Sequence, residues 1–282
     1  RFASQLFVYI SGHMESQVVL ITGGSSGIGR AVGRLLLSKG FRVYGSTRDL
    51  GKCKEFNDFE LVQLDVRQPD TILEAVKSIL EKEGRIDILI NNAGVGITGP
   101  VEEMPREEIE NNFSVNFFGP LEVIKAVLPA MREQGSGLII NITSIAGYMG
   151  LPYRGVYCAS KGALELITEA LRMETRAFGI QITNLAPGDF ATNIASGRYH
   201  APVLDQSPYK ATYSRVLALM NEHVDSGGDP QLVARAVHKI IRQSKPKAHY
   251  RVGSWMQKIS VSLKRILPDK LFEKLLLHHY KL

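Results

Sequence analysis

Cysteine is scarce in this sequence: Cys53 and Cys158 are the only two among 282 residues. They lie far apart and form no CxxC or zinc-ligand spacing, which excludes a disulfide framework and a zinc ribbon and fits a reducing, cytoplasmic compartment. Long apolar runs are also lacking, since none approaches the ~18 residues that a spanning helix needs. The opening stretch "RFASQLFVYISGHM" has no basic start followed by an apolar segment and a small-residue cleavage site, so it does not read as a secretory leader. Its "SGHM" reads as an expression-tag remnant, which leaves residues 1–13 outside the expected fold and makes Met14 the expected native start. Internal repeats and low-complexity linkers are missing too. With 44% hydrophobic and 22% charged residues, the chain has the composition of a globule with a sizeable core, which sets aside disordered and fibrous classes.

The formal charge is +6, which invites a nucleic-acid reading, but the excess is not spread over the chain. From Trp255 onward, Lys258, Lys264, Arg265, Lys270, Lys274 and Lys281 face Asp269 and Glu273, so +4 of the imbalance sits in one tail. A nucleic-acid protein shows a basic face interleaved with stacking aromatics, and none is seen. The tail's apolar residues Trp255, Ile259, Leu263 and Ile266 fall at helical spacing, with a break at Pro268 and a second run from Leu271. An amphipathic basic tail over 254–282 can cap a substrate mouth, pack in a dimer or lie on an anionic membrane surface. A packing helix with solvated lysines is the commonest outcome. The adjacent His278 and His279 carry no zinc-ligand spacing, and no metal site is expected.

Short β-branched runs alternate with helical patterns. "VVLIT" (18–22) is continuously apolar, as in a strand buried on both faces. It is followed by "FRVYGST", "ELVQL", "IDILIN", "LIINIT" and "IQITNL", with helical spacing through Lys39 and over roughly 70–83, 106–133 and 154–178. That rhythm is the mark of an α/β fold, a doubly wound parallel sheet of about seven strands in a single domain over 14–253. Residues 189–230 break the rhythm and read as a substrate loop or lid.

Two pieces carry chemistry. Directly after the first strand stands "TGGSSGIG", Thr22 to Gly29, with a helical pattern behind it. Glycines allow a tight turn and close backbone approach to a pyrophosphate, and the helix N-terminus favours its charge. Later, "VYCASKGAL" sets Tyr157 and Lys161 one helical turn apart on one face. A phenol titrates near ~10 and a lysine near ~10.4, so neither carries protons at neutral pH unaided.

"TGGSSGIG", "NNAG" (91–94), Ser144, "YCASK" (157–161) and "PGDFAT" (187–192) together resemble the short-chain dehydrogenase/reductase family. The likeness runs from Gln17 to about Thr192 in order and at the family's spacing, and is nearest to the branch of 17β-hydroxysteroid and retinol dehydrogenases. It implies a Rossmann-type domain with a nicotinamide dinucleotide across the strand ends. The dinucleotide would be held by Gly23, Ser25, Ser26, Gly27, Ile28 and Gly29 at the turn. Asp65 and Val66 would flank the adenine and Asn92, Ala93 and Gly94 the ribose, while Pro187, Gly188 and Thr192 would lie by the nicotinamide. Tyr157 and Lys161 would also touch it. Aligning the family motif places Thr47 where an NAD-selecting acid would stand, with Arg48 next and Asp49 beyond the strand. Arg48 suits the 2′-phosphate of NADP, so NADP(H) is expected in preference to NAD(H).

The resemblance also implies an interconversion of carbonyl and secondary alcohol by Asn116, Ser144, Tyr157 and Lys161. A tyrosine can exchange the substrate's proton when nearby positive charge stabilises its anion. Lys161 supplies one such charge and an oxidised nicotinamide another. Ser144 would polarise the substrate carbonyl, and Asn116 would order a water beside the lysine. The branch implies lipophilic substrates, with Met149, Tyr153, Phe190, Tyr199 and Tyr213 as wall residues; the same side chains could equally be packing under a loop. The family's habit is to form homodimers or homotetramers through helices 106–133 and 154–178. The rivals are an NADP(H)-sensing regulator without turnover, for which the proton-transfer set would be superfluous, and a basic membrane or nucleic-acid scaffold. Cys158 reads as small helix packing.

Overall fold

The computed structural model describes residues 16–190, 197–225 and 227–282. The expected tag remnant lies outside them. Seven strands, β1 (Val18–Ile21), β2 (Arg42–Thr47), β3 (Glu60–Gln63), β4 (Ile88–Asn91), β6 (Gly137–Ile142), β7 (Ile180–Pro187) and β9 (His249–Val252), form one parallel sheet in the order β3-β2-β1-β4-β6-β7-β9. A separate two-stranded parallel ribbon joins β5 (Ile97–Thr98) to β8 (Tyr199–His200).

Both faces of the sheet are covered, which explains the unbroken apolar runs. Leu20 and Leu89 point to one face, with Ile72, Ile79, Val123 and Val127 of α2 (Pro69–Glu83) and α4 (Gly119–Gln134). Val19, Ile21 and Ile90 point to the other, with Val32, Leu36, Val233 and Val237 of α1 (Gly27–Ser38) and α7 (Gln231–Ile241). Each such side chain contributes about 1.5–3 kcal/mol when buried. α5 (Gly155–Glu174) lies along β7, and α3 (Arg106–Phe113) runs through a π-helical turn, Ser114–Phe118, into α4. Among the described residues no helix is long and apolar enough to cross a membrane.

The seven-stranded parallel sheet is as expected, and two other expectations shift. The seventh strand, β9, is half-buried and partly polar, "HYRV", and shows no strand pattern in sequence. The stretch 189–230 is not all loop: α6 (Lys210–Asp225) occupies its second half, with Tyr213, Val216 and Met220 buried. The tail does break at Pro268, into α8 (Trp255–Ile266) and α9 (Asp269–His279). Its buried contacts are however Val261 and Phe272, which pack on Ile145, Met149 and Ala186, and Tyr280, which packs on Val216 and Met220. Trp255 and Ile266 stay 71% and 78% exposed.

Candidate active site

The sheet order reverses between β1 and β4, and the loops after β1, β4, β6 and β7 all leave from the carboxyl edge there. In an open α/β sheet that crevice is where a ligand sits. The turn after β1 is held by side chains from the loop after β4. Thr22 Oγ1 accepts from the Asn92 and Ala93 amides at 2.9 and 3.0 Å, and Asn92 Nδ2 donates to the carbonyls of Thr22 and Gly23 at 3.0 and 3.1 Å. Asn92 lines the cleft but spends its amide group bracing the turn.

Glycine is required here by contact. A Cβ on Gly24 would stand 2.5 Å from the Gly45 Cα, and one on Gly29 would collide with the Gly23 carbonyl oxygen. Gly23 and Gly27 take φ of 64° and 53°, the left-handed region that glycine enters freely. Ser26 caps α1 with its hydroxyl unused, and the first turn of α1 carries no acid. The N-terminal amides are therefore left for an anion. This cradle fits a dinucleotide diphosphate.

At the end of β2, Thr47 is half-buried and Arg48 is exposed, beyond the last strand residue. Asp49 is used locally, its carboxylate accepting from Gly51 N at 2.8 Å to cap a short turn. Asp65 is clasped by Arg67, with Nη2 to Oδ2 at 2.7 Å, and that contact holds its carboxyl below the usual range. Val66 packs in the core against Gly119. Thr192 lies outside the described residues.

On the far wall, α5 presents Tyr157 and Lys161 to a cleft of about 780 Å³ including its mouth, lined also by Ile28, Asn92, Gly94, Ser144, Pro187 and Gly188. Ser144 begins a tight turn after β6, with its Oγ accepting from Ala146 N at 3.2 Å. Lys161 is 5% exposed and donates to the Ile142 carbonyl at 3.0 Å. Burial pushes its ammonium down to about 8, while Glu165 one turn on opposes that shift. A Cβ on Gly94 would lie 3.2 Å from Asn116 Oδ1 and 3.3 Å from Lys161 Nζ, so both side chains converge on this glycine.

Asn116 stands in the π turn, fully buried. Its Oδ1 accepts from Val95 N at 2.9 Å, and its Nδ2 donates to Val95 O at 2.9 Å and Ser160 Oγ at 3.1 Å. A π turn inside a helix commonly marks a functional position.

Burial raises the Tyr157 phenol, and the strongest opposing influences are the Arg154 guanidinium and the Ser144 hydroxyl. Arg154, rather than the Lys161 expected from the sequence, is the main cation opposing that rise. Its guanidinium carbon lies 5.3 Å from the Tyr157 ring centroid, and Nη1 is 3.9 Å from Asp189 Oδ1. Arg154, Asp189 and Arg198 all line the cleft, and none was singled out in the sequence. Beneath it, buried Glu165 accepts from Tyr148 Oη at 2.9 Å and from the Thr143 hydroxyl, and meets His249 Nδ1 at 2.9 Å. His249 Nε2 reaches Glu169 at 2.9 Å.

Of the five expected wall residues, Phe190 lines this cleft and Tyr199 a neighbouring one. Met149 packs with the tail. Tyr213 is 1% exposed, with its hydroxyl donating to the Thr98 carbonyl at 3.2 Å. Tyr153, at φ 58°, stacks on Tyr213 at 5.2 Å and bonds Thr212 at 2.6 Å. These three are packing side chains. Cys158 is 6% exposed, and burial holds its thiol up. No metal-ligand cluster occurs among the described residues.

Residues 17–202 match the family described as short chain dehydrogenase. A 3-ketodihydrosphingosine reductase of Bacteroides thetaiotaomicron is 37% identical over 265 residues, covering 92% of this chain and 96% of that protein. The 17-beta-hydroxysteroid dehydrogenase type 1 of Homo sapiens is 33% identical, covering 84% of this chain and 77% of its own. The crystal structure of a short-chain dehydrogenase from Streptomyces avermitilis superimposes with a TM-score of 0.80 at 29% identity, over 95% of this chain and 97% of the other. Motifs, sheet order and these likenesses agree: the chain belongs to the short-chain dehydrogenase/reductase family of oxidoreductases.

Proposed function

We propose that the protein interconverts a ketone and a secondary alcohol on a lipophilic substrate, using NADP(H) in preference to NAD(H), with Tyr157 as the proton-transferring group. The observation that carries this is the meeting of Ser144, Tyr157 and Lys161 in one cleft that opens beside the glycine cradle. A bound nicotinamide dinucleotide would supply or accept the hydride. The chain's own residues do the rest. The Ser144 hydroxyl hydrogen-bonds the substrate oxygen. Tyr157 Oη gives that oxygen its proton in reduction and removes it in oxidation. Lys161, fixed by Ile142 O, holds positive charge beside the phenol and the cofactor ribose, and Asn116 anchors the loop that carries Gly94 against α5.

Gly23, Ser25, Ser26, Gly27, Ile28 and Gly29 would hold the diphosphate. Asp65 and Val66 would border the adenine, Asn92, Ala93 and Gly94 the ribose, and Pro187, Gly188 and Thr192 the nicotinamide. Arg48, free of a strand-end acid, meets the additional phosphate. The lipophilic class is supported by Ile97, Ile142 and Phe190 in the wall and by the ketone and steroid named in the two relatives.

Association through α3–α4 and α5 into dimers or tetramers is supported by Phe118, Leu166 and Met173, which are 56%, 69% and 73% exposed there; sedimentation reads it directly. Cytoplasmic residence rests on two cysteines that form no disulfide.

The test is Tyr157→Phe. Its expected behaviour is a folded protein that binds NADPH as the parent does and loses turnover by about a thousandfold or more, the scale of a lost acid/base group together with a lost oxygen contact. Retention of most of the parent kcat on a ketone panel would overturn the assignment. NADPH binding without turnover in the parent across the panel would favour a sensor instead.

A further inference from the structure

The cleft carries more positive charge than the chemistry above consumes. Among the described lining residues, Arg154, Lys161 and Arg198 are cations and Asp189 is the sole acid. Lys161 is committed to the Ile142 carbonyl. Asp189 is shared, since its Oδ1 faces Arg154 at 3.9 Å while its Oδ2 accepts from Gln257 Nε2 at 2.9 Å. No acid of the cleft makes a direct ion pair with Arg198; Asp189 favours its charge only from a distance.

Arg198 is brought there by the short β5–β8 pairing, Ile97 to Tyr199, which lays its side chain along Gly96. A Cβ on Gly96 would meet Arg198 Cγ at 2.9 Å and Nε at 3.0 Å, so the glycine makes room for the arginine. With Val95, Gly96 and Ile97, Arg198 lines both the main cleft and its neighbour. Its Nη1 is buried and has no hydrogen-bond partner. Burial and repulsion from Arg154 act against its charge and outweigh the support it draws from Tyr157 and Asp189. A guanidinium cannot shed its proton, so a buried, unmatched donor is costly unless something accepts from it. A neutral sterol or simple alkyl ketone offers it nothing.

We propose that Arg198, with Arg154 in support, forms an anion site in the substrate cleft, so that the preferred substrates are amphiphilic ketones or alcohols bearing a carboxylate or phosphate group. The planar fork of arginine matches both oxyacids. Apolar Val95, Ile97 and Phe190 line the same cleft for the hydrocarbon part. This rests on Tyr157 as the reaction centre and narrows the substrate class around it.

The test is direct binding to the NADP⁺-loaded full-length protein, by calorimetry, of three ligands that share one chain: decanoate, decyl phosphate and decanol. The expected result is that decanoate or decyl phosphate binds at least about tenfold more tightly than decanol, a difference of about 1.4 kcal/mol. Which of the two leads identifies the oxyacid. Arg198→Met is expected to abolish that preference while leaving decanol and NADPH binding unchanged, and Arg198→Lys to restore part of it. Equal affinity of all three ligands for the parent would overturn the proposal, as would a preference that survives Arg198→Met. Weakened NADPH binding in Arg198→Met would assign the arginine to the cofactor and also overturn it. None of these readouts needs turnover, so they stay separate from the fate of Tyr157→Phe.

Discussion

The two halves of the molecule make their sites in different ways. Residues 16–143 build the dinucleotide crevice from backbone: glycines at positions a side chain would fill, amides at the start of α1, and carbonyls clasped by Asn92. Residues 144–282 line the proposed substrate side with charged side chains on separate elements, namely Arg154 before α5, Asp189 after β7 and Arg198 before β8. A backbone site tolerates no change in shape but is indifferent to most neighbours. A side-chain site can be re-tuned residue by residue.

The comparison breaks hardest at Gly24. Valine there would drive a Cβ into the Gly45 Cα, and Gly45 has no freedom to yield because its own Cβ position faces Phe59 at 2.5 Å. Gly24→Val is expected to cost about 3 kcal/mol or more, the upper end of core overpacking. Thermal unfolding or soluble yield measures it, and a variant of parental stability would mean that the backbone crevice is not sterically closed.

Lys161→Met tests the border between the halves. Burial lowers this lysine from 10.5 to about 8, so carrying its charge costs the folded state up to about 3 kcal/mol at 1.36 kcal/mol per unit. The folded state binds fewer protons than the unfolded chain between pH 8 and 10.5, so the cost is fully present below 8 and fades toward 10.5. Allowing for the lost bond to Ile142 O, about 1 kcal/mol, Lys161→Met is expected to be roughly 2 kcal/mol more stable at pH 7 and nearly inactive. The gain should shrink as pH rises past 8. Urea titrations at several pH values read this, and a gain independent of pH would refute the burial cost.

The smallest effect is expected at Arg48, a side-chain determinant within the backbone half. Arg48→Asp should leave the melting temperature unchanged, since the residue is exposed. It should raise the Michaelis constant for NADPH over that for NADH by about tenfold, or about 1.4 kcal/mol. An unchanged ratio would place cofactor choice elsewhere, with Arg67 beside Asp65 as the next residue to change.

The same contrast explains what could be read in advance. Backbone requirements leave local marks: the glycine spacing, the apolar run of β1, and the one-turn interval between Tyr157 and Lys161 were all visible. Six strands followed from their apolar runs, whereas β9 lies at the sheet edge and alternates His249 and Arg251 with Tyr250 and Val252, all four half-buried. α6 was hidden because its buried Tyr213, Val216 and Met220 sit in a run of mixed polarity. Arg154, Asp189 and Arg198 leave no pattern at all. Single charged residues in loops become a cluster only once α5, β7 and the β5–β8 ribbon have been placed beside one another. The tail misled for a related reason. Its larger side chains marked one helical face, yet the groove beside Ile145 and Met149 accepts the smaller Val261 together with Phe272.

His249 bridges two acids of α5, Glu165 and Glu169, at 2.9 Å each, the first of them a single turn beyond Lys161. Through that rivet the edge strand β9, and the two tail helices that follow it, are fastened to the very rod on which the reacting tyrosine rides. The C-terminal segment from β9 onward is therefore no exchangeable module. Trimming or grafting it severs anchors of the catalytic helix, so selectivity in this molecule has to be altered within the chain rather than by swapping its end.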